Sequence, residues 1–274
     1  MIKVHLVLGR GIYGLVDWSR QWRSRAPSLT CQPHPSAPLA LSLLAALFSP
    51  SVPTSAATPL EIAYPALRKT TCSVLATDPS KPSAPTWIIG TGFFISDQGY
   101  VATNRHVVDD QALTYDIDCL GKISGVSVVY RSATHDIAIL ESSFRNTPFN
   151  AFSEKHPLHH VGKEVFYMGS PRGLAGSFTN GTIGNTIETK TGVVFQLSGL
   201  VNPGNSGGAV LDGEGHVIGL VTAQLENSPG MGAITPAYAA LADREIRKIL
   251  GKEPSELWEY MGEALESQLL DPRT

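Results

Sequence analysis

Charge is scarce in this chain. Asp, Glu, Lys and Arg make up 16% of its 274 residues, and the formal net charge is −3. The first 57 residues hold five basic residues and one acidic residue, so they carry +4 and the remainder carries −7. A remainder of that sign excludes the basic footprint expected of a nucleic-acid-binding domain. Long apolar runs are missing too. The segment APLALSLLAALF (37–48) has 12 uncharged residues, too few to span a bilayer comfortably. No arginine pair precedes that run and no cysteine follows it closely, which argues against twin-arginine export and lipidation. No methionine lies between residues 2 and 57, so a start further downstream would need a non-standard initiation codon. Cysteine is limited to Cys31, Cys72 and Cys119.

What surrounds the apolar run has the parts of a secretory signal. Arg20, Arg23 and Arg25 precede it, and Ser55-Ala56-Ala57 follows as a small-residue cleavage site. The 36 residues in front are too many for an ordinary signal, so residues 1–57 read as an export region whose start lies upstream of the true one, or as an uncleaved anchor. A buried helix is the competing reading. Export predicts a periplasmic or secreted protein without stable membrane insertion once the signal is cleaved, and a membrane-anchored one if it is not. Cleavage would leave Cys72 and Cys119, both in strand-like text, either as one disulfide or as two buried thiols.

Glycine (26) and proline (19) are somewhat high, which favours short strands and turns. From about residue 64, strand-like stretches recur: TTCSVLAT, WIIGTGFFI, VATNRHVV, ISGVSVVYR and HDIAILESS. Gly99 suits the tight turn SDQGY. The polar, proline-bearing stretch 145–160 reads as a linker, and a second strand-rich run begins at 161. Two similar halves predict two small β-barrels side by side, over about 64–150 and 161–235. The period then changes. Thr235 is placed to cap a helix starting at Pro236, with Tyr238, Ala242, Ile246, Ile249 and Leu250 on one face and Gly251 at its end. A second helix is predicted from Ser255, with Leu257, Met261, Leu265 and Leu269 in register. Residues 241–274 are thus expected to form a helical tail packed on the barrels.

One short stretch points to chemistry. Ser206 stands in GNSGG (204–208), which is either a simple turn or a loop that presents a nucleophile. A serine hydroxyl is a weak nucleophile, so it needs a base within reach and donors for the oxyanion it creates. Gly204 permits a turn that aims the amides of Gly204 and Ser206 at one point; Gly207 and Gly208 are expected to leave room for substrate. Of eight histidines, His106 follows a strand and is anchored by Val107-Val108; His135, His156, His159, His160 and His216 fall in turn-like text and read as solvated. Asp136, directly before the apolar strand IAIL, is the candidate for the carboxylate that orients the imidazole. Asp109 and Asp110 are rivals, but they follow His106 too closely to turn back easily.

These stretches resemble the trypsin-like serine peptidases of the HtrA/Deg kind over about residues 65–240. GTGFFISDQGYVATNRHVV is similar to that family's approach to its histidine, HDIAIL to its aspartate block, MGSPRGLAGSFTNGTIG to its glycine-serine-proline strand pair, and NPGNSGGAVLDGEGHVIGLVTA to its serine block. The order His, Asp, Ser, at gaps of 30 and 70 residues, also agrees. The resemblance implies an all-β, chymotrypsin/trypsin-like double barrel with C-terminal helices, the protease domain spanning 58–240. It implies a serine endopeptidase acting on polypeptides without metal or cofactor, with a link to protein quality control. His106 becomes the general base, Asp136 its orienting carboxylate, Ser206 the nucleophile, and Gly204 and Ser206 the oxyanion donors. Leu200, Val201, Val221 and Ala223 would line an uncharged side-chain pocket, predicting preference for a small or medium apolar residue before the cut bond. The alternative is a catalytically silent relative that binds partner or unfolded proteins. Ala209 replaces a usual proline and Arg105 a usual small residue. No PDZ module is legible after the protease region, and DPSKPSAPT is brief where some relatives carry a long loop, so regulation by either device is not expected.

Overall fold

The computed structural model describes residues 57–253 other than 82, 190, 191, 225–227 and 229. The export region and the helix expected from Ser255 lie outside the described residues. The first barrel comprises β1 (Thr71–Thr77), β2 (Trp87–Phe94), β3 (Tyr100–Thr103), β4 (Thr114–Cys119), β5 (Lys122–Arg131) and β6 (Ala138–Ser142). They close antiparallel in the order β1-β2-β3-β6-β5-β4. The second comprises β7 (Glu164–Gly169), β8 (Ser177–Thr189), β9 (Gly192–Ser198), β10 (Ala209–Leu211), β11 (Val217–Gln224) and β12 (Met231–Pro236), closed as β10-β11-β12-β9-β8-β7. This is the chymotrypsin-like double barrel with C-terminal helices.

The most apolar strands are those buried on both faces. In β6, Ala138 and Leu140 enter the first barrel, whereas Ile139, with Ile137 just before the strand, packs between the barrels. In β7, Val165 and Tyr167 enter the second barrel while Phe166 and Met168 join Ile137 and Ile139 outside it. Side chains alternate across a strand, so continuous text such as DIAIL and EVFYM is what a strand with two dry faces requires. The shared layer between the barrels also holds Phe93, Leu211, Tyr238 and Ile246, and it fixes where residues from the two halves can meet.

Three features differ from the sequence reading. A helix, α1 (Pro59–Thr70), precedes the first strand. Thr58 caps it in a reciprocal box, Glu61 N–H donating to Thr58 Oγ1 (3.3 Å) and Thr58 N–H to Glu61 Oε2 (2.7 Å). Ala63 and Leu67 bury its inner face. The single helix expected from Pro236 is two, α2 (Ala237–Ala242) and α3 (Arg244–Leu250). Thr235 belongs to β12, and Asp243, extended at ψ 118°, breaks the run and caps α3. Gly251 ends α3 in the left-handed region at φ 62°. The stretch 145–160 does cross between the barrels, but it is tied down: Phe152 is buried and bridges Val217. Cys72 and Cys119 form a disulfide that joins β1 to the end of β4 across 47 residues of chain. Among the described residues no helix is long and apolar enough to cross a membrane.

Candidate active site

His106 sits on a single 3-10 turn, Arg105–Val107, directly after β3. Val107 and Val108 are buried in the first barrel and hold the turn down. Asp136 lies in the turn leading into β6, which pairs with β3, so adjacent strands deliver the two side chains to one place. Asp136 uses both carboxylate oxygens on the histidine. Oδ1 accepts the His106 backbone N–H (3.0 Å), and Oδ2 lies 2.7 Å from His106 Nδ1. The buried Asn104 adds a bond from Nδ2 to the Asp136 carbonyl (2.8 Å). A neutral imidazole that donates Nδ1–H to a carboxylate keeps its lone pair on Nε2, which makes Nε2 the basic atom. The rival aspartates are engaged elsewhere. Asp109 pairs with Arg105 at 3.5 Å, and Asp110 accepts from the Ala112 N–H at 2.9 Å.

Ser206 lies in the loop from β9 to β10, on the second barrel. Its backbone is bonded into the first: the Ser206 carbonyl accepts from Thr91 N–H (2.8 Å) and the Gly204 carbonyl from Thr91 Oγ1 (2.6 Å). Thr91, between two glycines of β2, is a buried polar residue missed by the sequence reading; the signal was a lone hydroxyl in an otherwise apolar strand. The Pro203 carbonyl accepts from Arg172 N–H, and the Asn205 carbonyl from Gly208 N–H, each at 3.0 Å. In a trans peptide the N–H points opposite to the carbonyl. The Gly204 and Ser206 amides are therefore directed away from those anchors, and neither has a protein acceptor among the described residues. Unspent backbone donors beside a serine are what an oxyanion site consists of.

The glycines around Ser206 serve the backbone. At Gly204 (φ 101°) a Cβ would stand 2.3 Å from the Ser170 carbonyl oxygen. At Gly207 (φ 87°) it would stand 2.1 Å from the Thr91 carbonyl oxygen and 2.2 Å from Thr103 Oγ1. Gly207 therefore admits the first barrel rather than substrate, and Gly208 similarly faces the Met168 carbonyl. This corrects the expectation that the pair leaves room for a ligand.

The Ser206 hydroxyl donates to the Thr222 carbonyl (2.9 Å), and no bond joins it to His106 among the described residues. The four pocket candidates divide. Leu200 is 66% exposed and Ala223 half-buried, whereas Val201 and Val221 are buried in the second barrel's core. Alternation along β11 sends Val221 inward. His160 is not solvated as expected but 3% exposed, against Phe195, and burial pushes its imidazole down to about 4. His135 is half-buried, edge-on to Tyr238, and its imidazole is lowered by desolvation. Asp212, Glu214 and His216 bring potential metal-ligating atoms within 4.8 Å of one another. The Asp212 carboxylate there serves the Glu214 and His216 amides of its own turn, and Glu214 pairs with Lys155.

A double barrel with a carboxylate-bound histidine on one half and a glycine-flanked serine on the other has the architecture of the trypsin-like peptidases. Residues 90–220 match the trypsin-like peptidase domain family. The chain is 30% identical over 171 residues to a probable periplasmic serine endoprotease, DegP-like, of Chlamydia muridarum, covering 61% of this chain and 34% of that protein. It is 36% identical over 157 residues to a protein of the same description from Brucella suis, covering 55% and 30%. A solved serine endoprotease of Yersinia pestis superimposes with a TM-score of 0.56 at 28% identity, over 69% of this chain and 66% of that one. Over its double barrel the chain is thus similar to trypsin-like peptidases of the HtrA/Deg type. It spans about a third of the length of the curated relatives it matches.

Proposed function

We propose that this domain is an exported serine endopeptidase that cuts polypeptides through Ser206, His106 and Asp136. The observation that carries this reading is the 2.7 Å contact between His106 Nδ1 and Asp136 Oδ2, which leaves Nε2 as the proton acceptor. Ser206 Oγ attacks a peptide carbonyl carbon and His106 Nε2 takes its proton. The carbonyl electron pair moves onto oxygen, where the Gly204 and Ser206 amides stabilise it. The tetrahedral species collapses, the C–N bond breaks, and His106 returns the proton to the leaving amine. Water then repeats the sequence on the acyl-enzyme. Asp136 keeps the ring in the required tautomer and stabilises its charged form. Protonated His106 cannot act as base, so kcat/KM falls on acidification.

The exposed Leu200 and the half-buried Ala223 support a pocket for a small or medium apolar side chain. The names of the relatives support a periplasmic location, and the apolar run at 37–48 supports export. Unfolded polypeptides are the substrate class, as quality control requires. The test is hydrolysis of unfolded casein by the wild type and by Ser206→Ala, with sequencing of the cut sites. Cleavage after small apolar residues that vanishes in the variant supports the reading; equal cleavage by both proteins overturns it. The Ser206–Thr222 bond favours a second reading, a silent relative that binds polypeptides, which predicts binding of casein without cutting.

A further inference from the structure

Asp243 breaks the C-terminal helical run, yet it lies far in sequence from every residue of the proposed chemistry. Its carboxylate takes four donors from two segments. Oδ1 caps α3, accepting the Glu245 N–H (3.0 Å) and Ile246 N–H (3.3 Å). Oδ2 accepts Tyr130 Oη–H (2.7 Å) and Ser132 Oγ–H (2.9 Å). Burial, and then the bond to Asp243, push the Tyr130 phenol up to about 12, so it remains a donor. A cap needs only one carboxylate oxygen. The second is spent on the first barrel.

Ser132 is where those bonds converge. It is 1% exposed. Its hydroxyl, while donating to Asp243, accepts the His135 N–H (3.3 Å). Its N–H donates to the Ile137 carbonyl (2.9 Å), and its carbonyl accepts Arg105 Nη1 (3.1 Å). His135 and Ile137 flank Asp136 on both sides, and Arg105 directly precedes His106. Each half of the His106–Asp136 pair thus has a chain neighbour bonded to one buried serine, which is itself held by Asp243. Arg105 is the residue that departs from the small one usual in the resembling family, and here its guanidinium makes half of this junction. Arg131, bonded to the Val108 carbonyl through Nε (3.2 Å) and Nη2 (2.8 Å), ties the far end of the histidine turn to β5.

We propose that Asp243 is a positioning residue for the His106–Asp136 pair, acting through Ser132, so that α3 sets the alignment of the catalytic base. The proposal rests on the endopeptidase reading for its effect on rate, but not for its effect on geometry. Asp243 touches neither substrate nor reacting atoms. The charged and titratable groups around the pair are Asp136 itself, Arg105 and Asp109 on the histidine turn, Arg131 on β5, and His135 beside Asp136.

Two variants separate positioning from folding. Asp243→Ser keeps a helix-capping hydroxyl but is too short to reach Tyr130 and Ser132 as well. Ser132→Ala removes one oxygen and leaves the Arg105 bond to the backbone intact. In each folded variant kcat is expected to fall about tenfold with KM within about twofold, because a small misplacement of an acid–base pair affects the chemical step. The double variant is expected to lose no more than the worse single one, since both cut the same path. The low-field NMR resonance of the His106 Nδ1 proton, measured without substrate, weakens through faster exchange. Wild-type kcat and an unchanged proton signal in either folded variant overturn the proposal, as do losses that multiply in the double variant. If Asp243→Ser does not fold, Ser132→Ala decides. If the wild type itself does not hydrolyse peptides, the endopeptidase reading has failed and the proton signal alone decides: weakening supports the positioning role, and no change overturns it.

Discussion

The Ser206 hydroxyl donates to the carbonyl of Thr222 at 2.9 Å, a partner on its own barrel, instead of to the imidazole carried by the other. The proposed attack requires this bond to be exchanged for one to His106 Nε2. A neutral hydrogen bond contributes about 1 kcal/mol net, a factor of roughly five in population. That is small beside the rate enhancement of a peptidase, so the resting position of the hydroxyl slows turnover at most modestly. Hydrogen bonds between catalytic groups commonly form only once substrate is bound.

Asp136→Asn is expected to fold and to lose about 10⁴-fold in kcat, the magnitude associated with an imidazole held in the wrong tautomer. The amide can still accept the His106 N–H through its oxygen, but its nitrogen then donates toward Nδ1 and leaves the proton on Nε2. Steady-state kinetics, with circular dichroism as the control, check this. A loss below tenfold would mean that Asp136 does not set the tautomer.

Stability is expected to fall on acidification through the window from 6.5 to about 4, because His160 is lowered from the first value to the second by burial. In that window the unfolded chain binds a proton that the folded chain refuses, so protons favour unfolding. The lowered His135 adds to the effect in the same direction. Thermal midpoints measured across the window are expected to decline less steeply in His160→Gln. An identical slope in the variant would assign the acid sensitivity to other groups.

Replacing the disulfide by Cys72→Ala and Cys119→Ala is expected to lower unfolding stability by about 4 kcal/mol, from the entropy of closing a loop of this length. The loop runs through 47 residues and includes the His106 turn. Urea denaturation of the folded double variant reports the loss. A change under 1 kcal/mol would show that the barrel alone holds β1 and β4 together.

Gly207→Ala is expected to cost about 3 kcal/mol or more, combining a left-handed backbone with overpacking against the first barrel. Gly173→Ala isolates the backbone part. That glycine has φ 84° with nothing within 4 Å of an added Cβ, and its cost is expected to be about 1 kcal/mol. Equal costs for the two variants would contradict the close approach of Thr91 to the serine loop.

Much of the double barrel is legible in the sequence because its central strands carry apolar residues on both faces, as in IAIL after Asp136. His106 stands out for a related reason: a polar TNR segment gives way to Val107-Val108, which the barrel buries. The misses are of another kind. The inward turn of Val221 depends on strand register, and β11 is bulged between Val221 and Ala223, so spacing from Ser206 could not reveal it. Gly207 reads as spare room because the first barrel's approach from residues 91 and 103 is a long-range fact. His160 lies in PLHH text that reads as solvated, and only the folded chain brings Phe195 over it. Asp243 stands inside a run of helix formers and shows its role only when Tyr130 and Ser132 arrive from 111 and more residues away.

The most direct measurement is the rate at which a fluorophosphonate modifies the folded protein, with the modified residue mapped by mass spectrometry. The account predicts a single adduct on Ser206, none in Ser206→Ala, and labelling slowed by about 10³-fold or more in His106→Ala, where no base can draw the proton from the hydroxyl. An adduct that persists in Ser206→Ala, or a folded wild type that stays unmodified under conditions where it binds polypeptide, would contradict it.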